Sequence, residues 1–364
     1  MLLPIFTATL ALSGLVSGSP VPAPAPLDKR LPSHVVSSGS PVVIDAAGVY
    51  IRVNPLNGNL IAGYAATDGS SHVLRTALST DGGSSWDALG EVYRANAVNY
   101  DIDNAYPIQL PSGRVLYAYR NHDRPGGTYT YYRITISYSD DGGVNWKYLS
   151  TVDQRAAAGV NGLWEPFLRV ANDGSLQCYY SAENSATDQD GLMRTSTDGG
   201  VTWSNANTIS GSGVTSRDGM IGVASIDDST GKLIAVFENT ESGVYSIDYV
   251  LSSNDGHSWG SRGRLYTAAN NKDATAPQVI NVGGTLVTSF MTNEDVAGTG
   301  GSADGAQMKV VTSTDGGASW GSKTVTGAAS SHWPGLYARD RTNLLALYSK
   351  DGLGAVSQLY ALAN

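Results

Sequence analysis

The chain has 364 residues, of which 41% are hydrophobic and 15% charged, enough apolar side chain for a large folded core and no sign of wholesale disorder. Its formal net charge of −9 leaves no basic face to neutralise phosphates, which argues against nucleic acid or an anionic membrane as partner. The 43 glycines and 20 tyrosines suit many short strands joined by tight turns.

In chain order, Leu2 to Val16 is an apolar run followed by the small residues Ser17, Gly18 and Ser19. It resembles a secretory signal, although no positive charge precedes it. The run is too short for a comfortable membrane span, and no later stretch qualifies. Val21 to Pro26 alternates with proline as an extended linker and leads to the basic pair Lys29-Arg30, which reads as a processing site. Residues 1–30 are therefore expected to be signal and pro-segment, and residues 31–364 a secreted, extracellular domain. Cys178 is the only cysteine, so no intramolecular disulfide can form. Its place in the alternating run Leu176–Tyr180 predicts a buried, inert thiol. No Asn-x-Ser/Thr sequon occurs.

One phrase then recurs five times: Ser79-Thr-Asp-Gly-Gly-Ser-Ser-Trp86, Ser139–Trp146, Ser196–Trp203, a copy read as shortened, Ser253–Trp259, and Ser313–Trp320. Each fits a tight turn in which Asp accepts backbone N–H bonds, Gly allows positive φ and Trp closes an apolar lid. On this alignment the aspartates are Asp81, Asp141, Asp198, Asp255 and Asp315, in steps of 60, 57, 57 and 60 residues. Such a period marks stacked or radial copies of one unit.

A second phrase, a strand, a glycine turn and an apolar strand ending in an aromatic, occurs six times. The copies are 50–64, 106–119, 165–180, 222–237, 276–290 and 333–348. Further strands lie between each hairpin and its box (129–137 and 244–252, for example) and after the box (147–152). Each unit is thus four antiparallel strands, a propeller blade. The 334 residues from Leu31 to Asn364, divided by 57, make about six blades. The expected fold is an all-β, six-bladed β-propeller. Residues near 35–44 are expected to complete the last blade, because an open row would leave unpaired edges. A β-helix or a pair of sandwiches is the alternative.

Topology puts the boxes, between the third and fourth strands, on the face opposite the start of the first strand. The boxes are therefore structural, and the working mouth lies at the other end. Residues before the first strands or after the second ones should reach it: Tyr106, Arg120, Trp164, Glu165, Glu183, Arg217, Asp218, Glu238, Glu241 and Trp333. Carboxylates, amides and aromatics around a concave mouth suit a sugar, the aromatics stacking on its ring and the polar groups bonding its hydroxyls. Glu165, between Trp164 and Pro166, has an apolar setting that disfavours ionisation. Glu238 ends the apolar strand Leu233–Phe237 and belongs to the next blade. Two carboxylates in unlike settings supply what glycosidic cleavage needs, a protonated acid and an ionised nucleophile or base. The alternative is that either one caps a strand or bonds a hydroxyl; Glu241, Glu183 and Asp218 are the next candidates. The five histidines show no ligand spacing, so neither metal nor other cofactor is expected. No nucleophile elbow or phosphate loop occurs.

Ser-x-Asp-x-Gly-x-x-Trp is the Asp-box of sialidase-like propellers, which four of the copies match in full. With Asn161-Gly-Leu-Trp-Glu-Pro-Phe-Leu168, Phe237-Glu238, the dibasic pro-segment and the length, the chain resembles glycoside hydrolase family 93 over essentially its whole mature length. The resemblance implies a secreted fungal exo-arabinanase that releases arabinobiose from the non-reducing end of linear α-1,5-arabinan with retention. The family's two catalytic glutamates then fall on Glu165 and Glu238, and the apolar flanks of Glu165 favour it as the acid. A monomer acting on arabinan or arabino-oligosaccharide is expected. An exo-sialidase is the alternative: Tyr50-Ile-Arg-Val-Asn54 resembles the sialidase Phe-Arg-Ile-Pro phrase without its proline, and Arg120 and Arg217 could join Arg52 in an arginine triad. A lectin would repeat its binding residues from blade to blade, whereas these differ.

Overall fold

The computed structural model describes residues 34–227, 229–297, 301–302 and 304–364; the expected signal and pro-segment lie outside them. Six antiparallel sheets follow one another along the chain. Blade 1 comprises Gly48–Leu56, Asn59–Asp68, Ser71–Ser79 and Asp87–Asn96. Blade 2 comprises Tyr100–Gln109, Val115–Asp123, Tyr131–Ser139 and Lys147–Ala156. Blade 3 comprises Leu163–Val170, Leu176–Ser185, Asp188–Ser196 and Asn207–Ser210. Blade 4 comprises Gly219–Asp227, Lys232–Asn239, Ser246–Ser252 and Gly260–Tyr266. Blade 5 comprises Ala274–Val282, Thr285–Thr292, Gln307–Ser313 and Gly321–Gly327.

Blade 6 closes the ring with both ends of the chain. Its strands Ser331–Ala338, Asn343–Lys350 and Gly354–Ala363 are completed by His34–Ser37 and Val42–Asp45. Both early strands pair antiparallel with the last one, His34 opposite Ala363 and Val42 opposite Ser357. The innermost strands touch in ring order, the sixth meeting the first. The fold is the all-β, six-bladed propeller expected.

The core lies between facing blades. Tyr64, Tyr119, Tyr180, Phe237, Phe290 and Tyr348, the aromatics that end the second strands, are all buried there. Burying such a side chain contributes about 2–3 kcal/mol. Cys178 is buried as well, and burial pushes its thiol pKa up.

The boxes brace the far end. In the first, the Ser79 hydroxyl donates to Asp81 Oδ1 at 2.8 Å and accepts the Gly83 N–H, while Oδ1 also accepts the N–H of Ser85 at 2.9 Å. Gly83 is required twice over: its φ is +92°, and a Cβ would meet Leu345 of blade 6 at 2.6 Å. The fourth box corrects the sequence alignment. Ser252 bonds Asn254 Oδ1 at 3.0 Å and accepts the Gly256 N–H, so the copy is full-length, Ser252–Trp259, with Asn254 in the aspartate's place. Asp255 stands where the other four boxes have Gly82, Gly142, Gly199 and Gly316, and takes the left-handed backbone itself, φ 58°. Its carboxylate instead reaches into blade 3, to Arg169 and the Asn172 N–H.

Candidate active site

One device shapes the mouth six times. Every innermost strand carries a register shift near its start, and every shift contains one non-glycine residue with left-handed backbone. These residues are Tyr50, Asn104, Glu165, Met220, Ala276 and Trp333, with φ between 47° and 60°. Such a bulge turns a side chain out of the sheet's alternation, at a cost of about 1–3 kcal/mol in backbone strain.

A second column of residues faces this ring. Side chains alternate along a strand, so burying the aromatic near the end of each second strand aims the next residue the other way. That residue is Ala65, Arg120, Ser181, Glu238, Met291 or Ser349. In three blades it accepts the backbone N–H of the next blade's left-handed residue. Ser349 takes that of Tyr50 and Ser181 that of Met220, both at 3.0 Å, and Glu238 Oε2 takes that of Ala276 at 2.7 Å. Arg120 holds the same place relative to Glu165, and its positive charge lowers the Glu165 pKa.

Glu165 and Glu238 therefore come from the two columns of consecutive blades, and both are half-buried. Burial first, then the charge of Glu238, raises the Glu165 pKa to about 8 against the pull of Arg120. Glu165 Oε2 is buried with no partner among the described residues. Burial also raises Glu238 to about 7, opposed by the Ala276 N–H and Arg217. Because the charge of Glu238 raises Glu165, the two titrations are linked.

The remaining candidates divide by depth. Arg120 donates to Asp101 at 3.0 Å and Asn104 at 2.9 Å, and its guanidinium lies 5.3 Å from the Trp164 ring. Trp164 is half-buried and packs against His122, Tyr129 and Tyr132. Glu183 is almost buried and braces the backbone, accepting the Gly162 N–H at 2.9 Å and Arg217 at 2.7 Å. Arg217 also reaches Gln189 and the Ala186 carbonyl. Glu241 is exposed on the rim, 3.9 Å from Arg262. Trp333 packs on an apolar floor formed by Tyr50, Met220, Ala276, Met291 and Ala306.

Two expectations are corrected. Asp218 is fully buried, clamped by Arg262 and by Ser216 at 2.8 Å, and cannot meet substrate. Tyr106 lies past its bulge, buried, with its ring 4.6 Å from Phe167. It lines a cavity of about 680 Å³ that includes Asn57 and Gly113, in the turns at the box end of the channel. Sequence reasoning also missed Ser181 and Tyr245. Tyr245 is half-buried; its phenol pKa is raised by burial and by the charge on Glu238, against the pull of Arg217. Ser181 was within reach as the residue after the third blade's aromatic; no sequence signal marks Tyr245. Among the described residues, no cluster of three or more His, Cys, Asp or Glu side chains could hold a metal ion.

The fold and the boxes define a class. Residues 65–326 match the BNR repeat-like domain family, and the chain belongs to it. Among solved structures it is similar to a Penicillium chrysogenum α-L-arabinanase complexed with arabinobiose: 21% identity, covering 92% of this chain and 98% of that one, TM-score 0.66. It is also similar to the family 93 α-L-arabinofuranosidase of Fusarium graminearum with arabinobiose: 19% identity, 91% and 98% coverage, TM-score 0.66. A Streptococcus pneumoniae NanB sialidase shares the fold at 11% identity, 88% and 68% coverage and TM-score 0.59. No curated protein matches.

Proposed function

We propose that the protein is a secreted retaining glycoside hydrolase of family 93, which releases arabinobiose from the non-reducing end of linear α-1,5-L-arabinan. The observation that carries this reading is the Glu165–Glu238 pair: two half-buried carboxyls on consecutive blades, both with raised pKa, sharing a mouth. One carboxylic acid protonates the departing glycosidic oxygen while the other, ionised, attacks the anomeric carbon. The C–O bond to the leaving chain breaks as the bond to the carboxylate forms. Water, deprotonated by the first residue, then displaces the carboxylate and retains the anomeric configuration. The unpartnered Glu165 Oε2 supports the reading, since a buried polar atom without a partner suits a substrate oxygen.

The floor supports a neutral sugar. On one side half-buried Trp333 offers apolar surface to a ring face, backed by buried Tyr50 and Met291; on the other, Arg120 and Arg217 are already committed. Arg120 is tied to Asp101 and Asn104, and Arg217 to Glu183 and Gln189. Arg52 is 3% exposed, stacked 4.1 Å from the Tyr50 ring centroid. Arg120 and Arg217 thus already spend donors on protein acceptors rather than on a sialate carboxylate. The deciding experiment incubates the protein with linear arabinan and, separately, with a sialyl substrate, and sizes the products by chromatography. Arabinobiose supports the proposal; free sialate, or no product from arabinan, overturns it.

A further inference from the structure

Among the described residues, Lys309 and Arg52 are the lysine and arginine side chains buried outright. Lys309 meets Glu294 at 2.6 Å and also Asp295, so its charge is answered by carboxylates. The less buried Arg120, Arg169, Arg217 and Arg262 each hold a carboxylate too. Arg52 holds none among the described residues. Its Nη1 donates to the Ile51 carbonyl at 2.8 Å, and its Nη2 is buried without a partner. Asp103, on the neighbouring blade, is turned to Arg120 at 3.5 Å. The chain nevertheless builds a seat for this guanidinium. It lies 4.1 Å from the ring centroid of Tyr50, the left-handed residue two positions earlier. Gly335 of blade 6 closes the seat from behind: a Cβ there would come within 2.8 Å of the Ile51 carbonyl and 3.2 Å of Nη1. Asn54, two residues further along the same face of the strand, lines the channel cavity. The seat therefore lies between the mouth floor and that cavity, at the joint of blades 6 and 1.

We propose that Arg52 Nη2 holds a small inorganic anion of the halide class in the channel beneath Tyr50. Removing a guanidinium from water without a counter-charge costs several kcal/mol. A water molecule on Nη2 would supply a lone pair and no charge, whereas an anion supplies both. The sealed position of Nη2 suits a single compact ion rather than an organic acid. Such an ion binds the folded ring and not the unfolded chain, so it ties closure of blade 6 on blade 1 to halide concentration. The proposal does not depend on the arabinan reading.

The test has two arms. Crystals soaked in sodium bromide and measured at the bromine absorption edge are expected to show an anomalous peak in contact with Arg52 Nη2, absent from Arg52→Met. In solution, sodium chloride or bromide is expected to raise the melting temperature by about 2–4 °C over sodium gluconate of equal ionic strength, once halide exceeds its dissociation constant about tenfold. Gluconate matches the screening of surface charges and is too large for the seat. Arg52→Met is expected to lose the halide-specific shift. Should that variant not fold, Gly335→Ala, which crowds the guanidinium, is expected to weaken the shift, and the wild-type bromide map stands by itself. Bromide at surface positions only, equal melting in chloride and gluconate, or a halide shift that survives Arg52→Met overturns the proposal. A peak at Arg52 with no halide-specific shift marks an adventitious ion only and overturns it as well.

Discussion

The two ends of the blades use one backbone in opposite ways. At the box end, five turns repeat nearly the same bonds: the hydroxyl of Ser79, Ser139, Ser196, Ser252 or Ser313 joins the acceptor two residues on. At the mouth, the six equivalent positions are Ala, Arg, Ser, Glu, Met and Ser. Repetition at one end secures the turns that hold the ring. Divergence at the other lets a six-fold frame carry a single site, charged toward blades 2–4 and apolar toward blades 5, 6 and 1. The six bulges of the mouth differ in what they deliver: at Tyr50 the backbone N–H bonds Ser349, whereas at Glu165 the same left-handed turn carries a carboxyl.

The largest effect should come from the mouth. Glu165→Gln and Glu238→Gln are each expected to lower kcat on arabinan by about 10³-fold or more, while calorimetry finds oligosaccharide affinity largely kept. On a substrate with an activated leaving group, the variant that keeps its first step identifies the acid/base. Next is pH: kcat/KM should follow a bell centred between the apparent values of about 7 and about 8, falling about tenfold per unit outside it.

Stability should separate the ends with opposite signs. The Glu165 pKa is raised on folding, so between the unfolded value and about 8 the native state holds a proton that the unfolded chain releases. Stability from this group is therefore lost as pH rises. Glu165→Gln should melt a few degrees above the wild type at pH 9, with the gap closing toward pH 4. Asp315→Ala at a box should melt lower and turn over arabinan at the wild-type rate, because it removes the acceptor of the Ser313 hydroxyl and the Ser319 N–H. The Asp315 carboxyl pKa is lowered, so this loss fades as pH falls below the usual carboxylate range. The smallest change is Asn254→Asp, which gives the fourth box its usual residue; thermal melts should place it within about 0.5 kcal/mol of the wild type.

The architecture was legible because it is written by repetition: box spacing gave the blade length, and the aromatic-ended strands gave the number six. The fourth box was misaligned by one residue because Asn254 fills the aspartate's role and Asp255 a glycine's, an exchange that bonding reveals and composition does not. The positions of Glu165 and Glu238 followed from topology. Depth did not. Asp218 and Tyr106 sit at the right places along the chain, yet an Arg262 clamp seals one and the bulge sends the other toward the box end. Neither clamp nor bulge has a pattern in the sequence, since each depends on a residue tens of positions away or on local backbone twist.

The most direct measurement is the intact mass of the protein after reaction with a slow, fluorine-substituted arabinobioside carrying an activated leaving group, followed by peptide mapping of the adduct. One glycosyl group on Glu165 or Glu238, absent from the matching glutamine variant, is the expected result. A label on any other residue, or product of inverted configuration with no label, would contradict the assignment.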